Sequence, residues 1–404
     1  MATWRFLFLS PFPPHQGGVA GFTRDMVHAI SASARSGGED VARADVAGLE
    51  QDGVTYRDED RVVFTANPRR PGDLARLAAQ VNKSSYDAVC VQYEPSLYPG
   101  AAADELLEFH TACRKPIVTT LHELPQSATP ESRRLLGGIS DRCEHVVVMA
   151  ARAADILRRD YGVPSGRIQL IPHGTPEIAF GHRPTLKHEL GLDGRRVITT
   201  FCLLSRRKGI EYMIDAMEMV SKQHPEALYL ILGRTSPEEA GAEGEAYREM
   251  LEARAARLRR NDSVRFINRF LPTAEAVAYL QAGDIYVTPY LDPNQTTSGT
   301  LAYALAAGKA IVSTPYLHAE EVLSDSRGIL VPFRDSCSLA GAVMGLLGNP
   351  SMTEQLERRA YDYARRTHWS VVGRHYLELL AEAGLKTRLL PHAAGRAATV
   401  ASRP

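Results

Sequence analysis

Three cations in a row, Arg206, Arg207 and Lys208, follow a strand-like apolar run and precede Gly209 and an amphipathic helical pattern. Positive charge at the start of a helix opposes its macrodipole, so such a cluster is unfavourable unless an anion lies against it. A diphosphate would be such an anion; a solvated basic turn is the ordinary alternative. Further along, the small polar run at residues 296–300 opens onto LAYALAAG. Ser298, Gly299 and Thr300 would there present unpaired helix-start N–H groups to an anion, and Gly308 would stop the helix. Gln295 lies just before that run.

Two further groups stand at strand ends. The first strand runs into PFPPHQGGVAGFT, where prolines set a turn and Gly17, Gly18 and Gly21 let the backbone approach a ligand closely. The same residues also suit an ordinary strand–helix turn. His122 and Glu123 end a buried-looking strand, VTTLHE, with Gln92-Tyr93-Glu94 ending the one before it. His122 has the chemistry to bond a sugar hydroxyl or move a proton, with Glu123 orienting it; two polar residues opening a loop would look the same. His173, in Ile-Pro-His-Gly, reads equally as a ligand-facing or a structural residue.

Other chemistries lack their residues. GGVAG is not the GxGxxG of a dinucleotide site, and neither a GxSxG elbow nor a Walker sequence occurs. No His, Cys or carboxylate spacing suits a metal, so none is expected to be required. The five cysteines are scattered, odd in number and without CxxC spacing, as in a reduced cytoplasmic protein. Charge is balanced at 47 basic and 47 acidic residues, which gives no overall field for nucleic acid. The apolar run at the N-terminus is short and broken by Pro11, unlike a signal peptide, and no run reaches the roughly 18 apolar residues of a membrane span.

The elements that must position these groups alternate. RFLFLS, VARADVAGL, DAVCVQY, PIVTTLH, HVVVMA and IQLIPHG read as strands in the first half. VITTFCLL, LYLILG, VRFINRF, IYVTPY, AIVSTP and GILVPF read as strands in the second. Helical patterns separate them, with two more after the last strand. Runs apolar on both faces are those of parallel strands covered by helices, so the expected class is α/β, doubly wound, and occurring twice. At 404 residues, with 44% hydrophobic and 23% charged, the chain is globular and long enough for two cores. The seam is expected at residues 175–194 and a mobile tail at 386–404. Ligands of such sheets bind at the carboxyl ends of the strands, and two facing sheets would place half-sites across one cleft.

Taken in order, FPPHQGGVAGFT, VTTLHE, IQLIPHG, LLSRRKGIEY, YLQAGDIYVTPY and SGTLAYALAAGKAIVSTP resemble glycosyltransferase family 4, over about residues 5–385. That resemblance implies a GT-B fold, two Rossmann-like domains facing across a cleft. Residues 1–178 would bind the acceptor, joined by a C-terminal helix at about 368–385, and residues 195–367 would bind the donor. It implies a retaining hexosyltransferase whose substrates are a nucleotide-diphosphate sugar and a small-molecule or glycan acceptor, with no cofactor. Gly17 and Gly18 would lie by the diphosphate and acceptor, His122 at the donor sugar, and Lys208 with the 298–300 helix start on the phosphates. Lys208, His122 and Gln295 would carry the catalysis, Gln295 holding the sugar with His122, and Glu94, Glu123, His173, Tyr303 and Glu321 would complete the sugar and nucleotide contacts.

The sequence departs from the family where carboxylates are usual. Its Glu-x7-Glu positions are Gln295 and Tyr303, and its Gly-Arg-Leu begins Cys202-Leu203, with Arg206 or Arg207 as a substitute for the arginine. Leu317-His318 stands at the Gly-Gly position, while Glu321 keeps the acidic one. Losing a ribose carboxylate removes a charge-assisted hydrogen bond worth about 1.5–3 kcal/mol. Two alternatives follow: a glycoside phosphorylase using inorganic phosphate on the same scaffold, or a non-catalytic protein that binds a sugar or nucleotide.

Overall fold

A computed structural model describes residues 3–36, 41–51, 53–56, 61–125 and 127–389. The chain divides into two compact units. One runs to Gly174 and resumes at Trp369; the other is Thr175–His368.

The first unit is built on strands β1 (Thr3–Ser10), β2 (Val41–Leu49), β3 (Val62–Ala66), β4 (Ala88–Tyr93), β5 (Ile117–Leu121), β6 (His145–Val148) and β7 (Ile168–Leu170). They form one sheet in the order β3-β2-β1-β4-β5-β6-β7, every pair parallel. Side chains alternate across it. Phe6 and Phe8 of β1 join Phe22, Val372, Tyr376 and Leu380, from the helices Gly18–Ser36 and Trp369–Leu389. Leu7 and Leu9 join the core on the opposite face, with Leu74, Leu77 and Val81 of the helix Asp73–Lys83. The returning helix meets the first at Gly373, where a Cβ would lie 2.6 Å from that of Ala29.

The second unit holds β8 (Arg196–Phe201), β9 (Ala227–Leu232), β10 (Val264–Ile267), β11 (Ile285–Thr288), β12 (Ala310–Ser313) and β13 (Ile329–Leu330), in the order β10-β9-β8-β11-β12-β13. These pairs are parallel too. Both sheets reverse their winding beside a central strand, between β1 and β4 and between β8 and β11. Such switch points open a crevice at the carboxyl edge. At the amino edge, buried Asp284 accepts from Lys187 Nζ at 2.6 Å and from the Val197 N–H at 2.7 Å, which ties the helix Arg183–Glu189 to the sheet.

Three sequence expectations change. VVFTA is a strand, β3, although its burial alternates as an edge strand's does and it offers no long apolar run. Three helices, not two, follow β13: Ser336–Gly348, Pro350–Ala364 and Trp369–Leu389. Asn349 alone separates the first two and caps the second, its Oδ1 accepting from the Met352 N–H. The last helix continues through residues 386–389, expected as tail; the rest of that expected tail lies outside the described residues.

Candidate active site

In the second unit, the chain leaving β8 makes a tight turn at Arg206–Lys208. Gly209 follows with φ +60°, and a Cβ there would lie 2.2 Å from the Pro289 carbonyl oxygen. The turn is therefore pressed against the chain leaving β11, and the Leu291 N–H donates to the Arg207 carbonyl at 2.8 Å. This contact sets Lys208 Nζ 4.0 Å from the centroid of the Tyr290 ring, within range for a cation–π attraction. Tyr290 is 1% exposed, stacks on Tyr316 at 5.4 Å, and its hydroxyl lies 3.0 Å from Thr300 Oγ1. Burial pushes its phenol well above the ordinary value, so it stays neutral.

Thr300 belongs to the helix Gly299–Ala306, which Ser298 caps by accepting the Leu301 N–H on Oγ at 3.3 Å. The first intrahelical bond runs from Ala302 to the Ser298 carbonyl, so the N–H groups of Gly299 and Thr300 precede the hydrogen-bonded helix. The Ser298 N–H is itself fixed by donating to His318 Nδ1 at 3.1 Å. Lys208, Tyr290, Ser298, Gly299 and Thr300 are thus one connected group, a cation beside a helix start. Its chemistry is that of an anion cradle.

The neighbouring cations are held otherwise. Arg207 Nη2 donates to buried Asp292 at 2.6 Å. Arg206 reaches Glu243 at 2.6 Å and lies 5.4 Å from the Tyr247 ring centroid. Gln295 is buried and gives its side-chain amide to the Thr297 carbonyl at 2.9 Å. Tyr303 packs partly buried on the core, and Glu321 lies partly exposed on the helix Leu317–Val322. Burial beside the cradle also raises the Cys202 thiol to about 12, with Lys208 nearby pulling the other way.

In the first unit, His122 follows β5 and its N–H donates to the Tyr93 carbonyl at 2.8 Å. The ring is buried, and its Nε2 lies 2.7 Å from Gln92 Oε1. Phe22 meets it edge to face, with centroids 4.7 Å apart, and meets His173 at 5.2 Å and Trp369 at 5.2 Å in the same manner. His173 Nδ1 donates to the Gly174 carbonyl at 2.7 Å. Desolvation lowers both histidines, His122 to about 3, and His173 further disfavours a charge on His122. Neutral imidazoles are the forms present near neutral pH.

The glycine loop enters the same unit after β1. Ser10 Oγ and Thr23 Oγ1 lie 2.7 Å apart, tying the strand end to the helix that begins at Gly18. At Gly18 a Cβ would meet nothing within 4 Å, so that backbone is open; at Gly17 the nearest group is the His15 ring, at 3.0 Å. Glu94 precedes the turn Pro95–Leu97, and Glu123 follows His122; both are partly exposed. The sequence reading passed over Phe22, Tyr290 and Trp369. Tyr290 had a signal, an aromatic ring directly after an apolar strand, whereas Phe22 and Trp369 read as ordinary helix residues. Among the described residues, no group of three or more His, Cys, Asp or Glu could hold a metal, and no helix is long and apolar enough to cross a membrane.

Comparison with known proteins bears on both units. Residues 21–177 match the family model described as Glycosyltransferase Family 4, and residues 195–349 match that for glycosyl transferases group 1. The phosphatidyl-myo-inositol mannosyltransferase of Mycolicibacterium smegmatis is 26% identical over 72% of each chain. A GDP-mannose-dependent monoacylated alpha-(1-6)-phosphatidylinositol monomannoside mannosyltransferase of Corynebacterium glutamicum is 24% identical over 91% of this chain and 95% of its own. Among solved structures, the sucrose-phosphate synthase of Thermosynechococcus elongatus superposes with a TM-score of 0.75 at 18% identity, over 95% of this chain and all of the other. The Anabaena protein HepE, in complex with UDP and glucose, superposes with a TM-score of 0.72 at 18% identity, over 94% and 100%. Both likenesses are in fold.

Proposed function

This chain belongs to glycosyltransferase family 4 and has the GT-B fold, and from that premise we propose that it moves a hexose from a nucleoside-diphosphate sugar to an acceptor hydroxyl, with retention at the anomeric carbon. The observation that carries the reading is the Lys208–Tyr290–Thr300 group, a cation fixed beside a helix start. A leaving diphosphate gains negative charge as the glycosidic bond breaks, and groups already oriented toward it stabilise that charge without reorganising. In this reading Lys208 and the Gly299 and Thr300 amides hold the diphosphate. His122 bonds a hydroxyl of the sugar, and the open backbone at Gly18 lies near the acceptor. No metal enters the scheme.

The mannosyltransferases among the relatives make GDP-mannose the first donor to try, and the UDP held by a structural neighbour makes the UDP-sugars the second. The missing ribose carboxylate bears on this choice. Gln295 is tied to its own loop and Tyr303 to the core, so neither reproduces a carboxylate at a ribose. Inorganic phosphate, the co-substrate of a phosphorylase, therefore belongs in the same screen.

The test is a thermal-shift series with UDP, GDP, ADP, dTDP, their sugars and phosphate. A ligand at about 100 times its dissociation constant adds roughly 2.7 kcal/mol of stability. One nucleotide series should raise the midpoint, and Lys208→Ala should abolish the rise. A response to phosphate alone would replace transfer with phosphorolysis, and a response to nucleotide without turnover of any sugar would leave a binding protein.

A further inference from the structure

We infer that Gln92 is a positioning residue: it holds His122 in the Nε2–H tautomer and so presents Nδ1 as an acceptor to a sugar hydroxyl. This rests on the proposed role of His122 at the donor sugar.

An amide oxygen can only accept, so Gln92 Oε1 at 2.7 Å requires the proton on His122 Nε2. The amide's orientation has its own support. Gln92 Nε2 donates to Cys90 Sγ at 3.2 Å, and burial pushes the Cys90 thiol up to about 12, which keeps it uncharged. Cys90 in turn lies 3.9 Å from Thr120 Oγ1, which shares a 2.9 Å hydrogen bond with the Tyr376 hydroxyl. Gln92, Cys90, Thr120 and Tyr376 are all fully buried, so the amide is held in a packed setting. Phe22 fixes the plane of the His122 ring at an interplanar angle of 87°.

Gln92 of β4, Phe22 of the helix Gly18–Ser36 and His173 after β7 meet the ring. Other titratable or charged groups on these and the adjoining elements include Cys90 on β4, Glu123 next in the chain, Asp25 on the helix Gly18–Ser36 and Tyr376 on the returning helix. Of all these groups His173 is the one that acts on the ring's charge. Burial and His173 both disfavour a charge on the ring, and its value falls to about 3. Asp25 acts in the opposite sense, on His173. A neutral imidazole with Nε2 protonated has one acceptor left, Nδ1. A charged one would have two donors and no acceptor, and could meet the hydroxyl only by donating to its oxygen, not by taking its proton.

The experiment uses the full chain labelled with 15N-histidine, with the His122 resonances assigned by their loss in His122→Gln. The wild-type ring should show a bare Nδ1 and a protonated Nε2 from pH 5 to 8. Gln92→Met removes the acceptor at similar size, and should mix the tautomers and lower kcat about tenfold while KM for the donor moves less. Gln92→Glu places a carboxylate against Nε2–H, raises the histidine, and should add an acid limb to a rate that is otherwise flat in this range. An Nδ1–H tautomer in the wild type overturns the inference, as does an unmixed Nε2–H form in Gln92→Met or an unchanged rate profile in Gln92→Glu. Turnover undiminished in His122→Gln would instead refute the sugar-contact role, with the tautomer still read directly from the spectrum.

Discussion

Gly209 and Pro289 approach so closely that the space for one methyl group does not exist between them: a Cβ on the glycine would lie 2.2 Å from the proline's carbonyl oxygen. The two residues belong to the chains leaving β8 and β11, so this contact sets the distance between the cation turn and the segment that carries Tyr290. Glycine is required twice over, by the approach and by φ +60°.

Gly209→Ala should therefore destabilise the second unit by about 2 kcal/mol or more, from left-handed strain together with the clash. For a unit of this size, that is a fall in Tm of roughly 4–8 °C. Calorimetry checks it. A midpoint within a degree of wild type would mean that the two chains separate easily.

Tyr290 has two separable roles. Tyr290→Phe keeps the ring face toward Lys208 and loses the bond to Thr300, so it should cost about 1 kcal/mol of stability and leave nucleotide affinity within about twofold. Tyr290→Leu removes the ring, and with it a cation–π attraction of about 0.5–2 kcal/mol, so affinity should fall several-fold. Titration calorimetry with the nucleotide found by thermal shift separates the two.

The three adjacent cations should differ in effect, because they face different groups: Lys208 the Tyr290 ring beside the helix start, Arg207 Asp292, and Arg206 Glu243. Lys208→Ala should lower kcat/KM by about 100-fold or more, the usual scale for losing one group that stabilises developing charge. Arg206→Ala, which loses Glu243 and the Tyr247 face, should change it less than about threefold. Arg207→Ala should fall between them, since Asp292 already takes its guanidinium. Equal losses at all three would make the cluster a diffuse charge rather than one aimed lysine.

The first unit should lose stability as pH falls from 7 to 5. Burial depresses His122 to about 3 and His110 to about 4, from an ordinary 6.5. Above 6.5 both are neutral, folded or unfolded. Below it the unfolded chain takes up protons that the folded chain refuses, so stability declines toward the folded values. Each histidine contributes up to about 1.4 kcal/mol per pH unit. His110 lies between the Leu106 carbonyl and Thr119 Oγ1, so His110→Asn should flatten the slope whatever it does to the midpoint. Urea unfolding at pH 7, 6 and 5, monitored by hydrogen exchange in this unit, reads the difference.

The architecture was largely legible because most strands are buried on both faces, as in the wholly buried β4, β5 and β9. Apolarity then runs unbroken through the sequence. β3 escaped notice because its residues alternate between half-buried and exposed, and the helix break at Asn349 was missed because one residue makes it. The cradle was half legible. Lys208 and the Ser298 cap announce themselves by charge and by small polar residues before a helix. The partners of Arg206 and Arg207 did not, because Glu243 and Asp292 lie 37 and 85 residues along the chain and only folding joins them. Phe22 was invisible for a different reason: a helix buries many phenylalanines, and nothing local distinguishes one that faces two histidines.

The bond between Thr120 and Tyr376 spans 256 residues of sequence. A chain emerging from the ribosome therefore completes β1 to β7, and then all of Thr175–His368, before it can supply the helix that covers Phe6 and Phe8. The second unit is contiguous and free to mature first. The first must wait with one apolar sheet face covered only in part, by the helix Gly18–Ser36, and the surroundings of His122 are finished last. Chains cut short before Trp369 would carry the Lys208 cradle whole and the surroundings of His122 unfinished, so on the proposed reading incomplete synthesis leaves the diphosphate groups in place without the sugar contact.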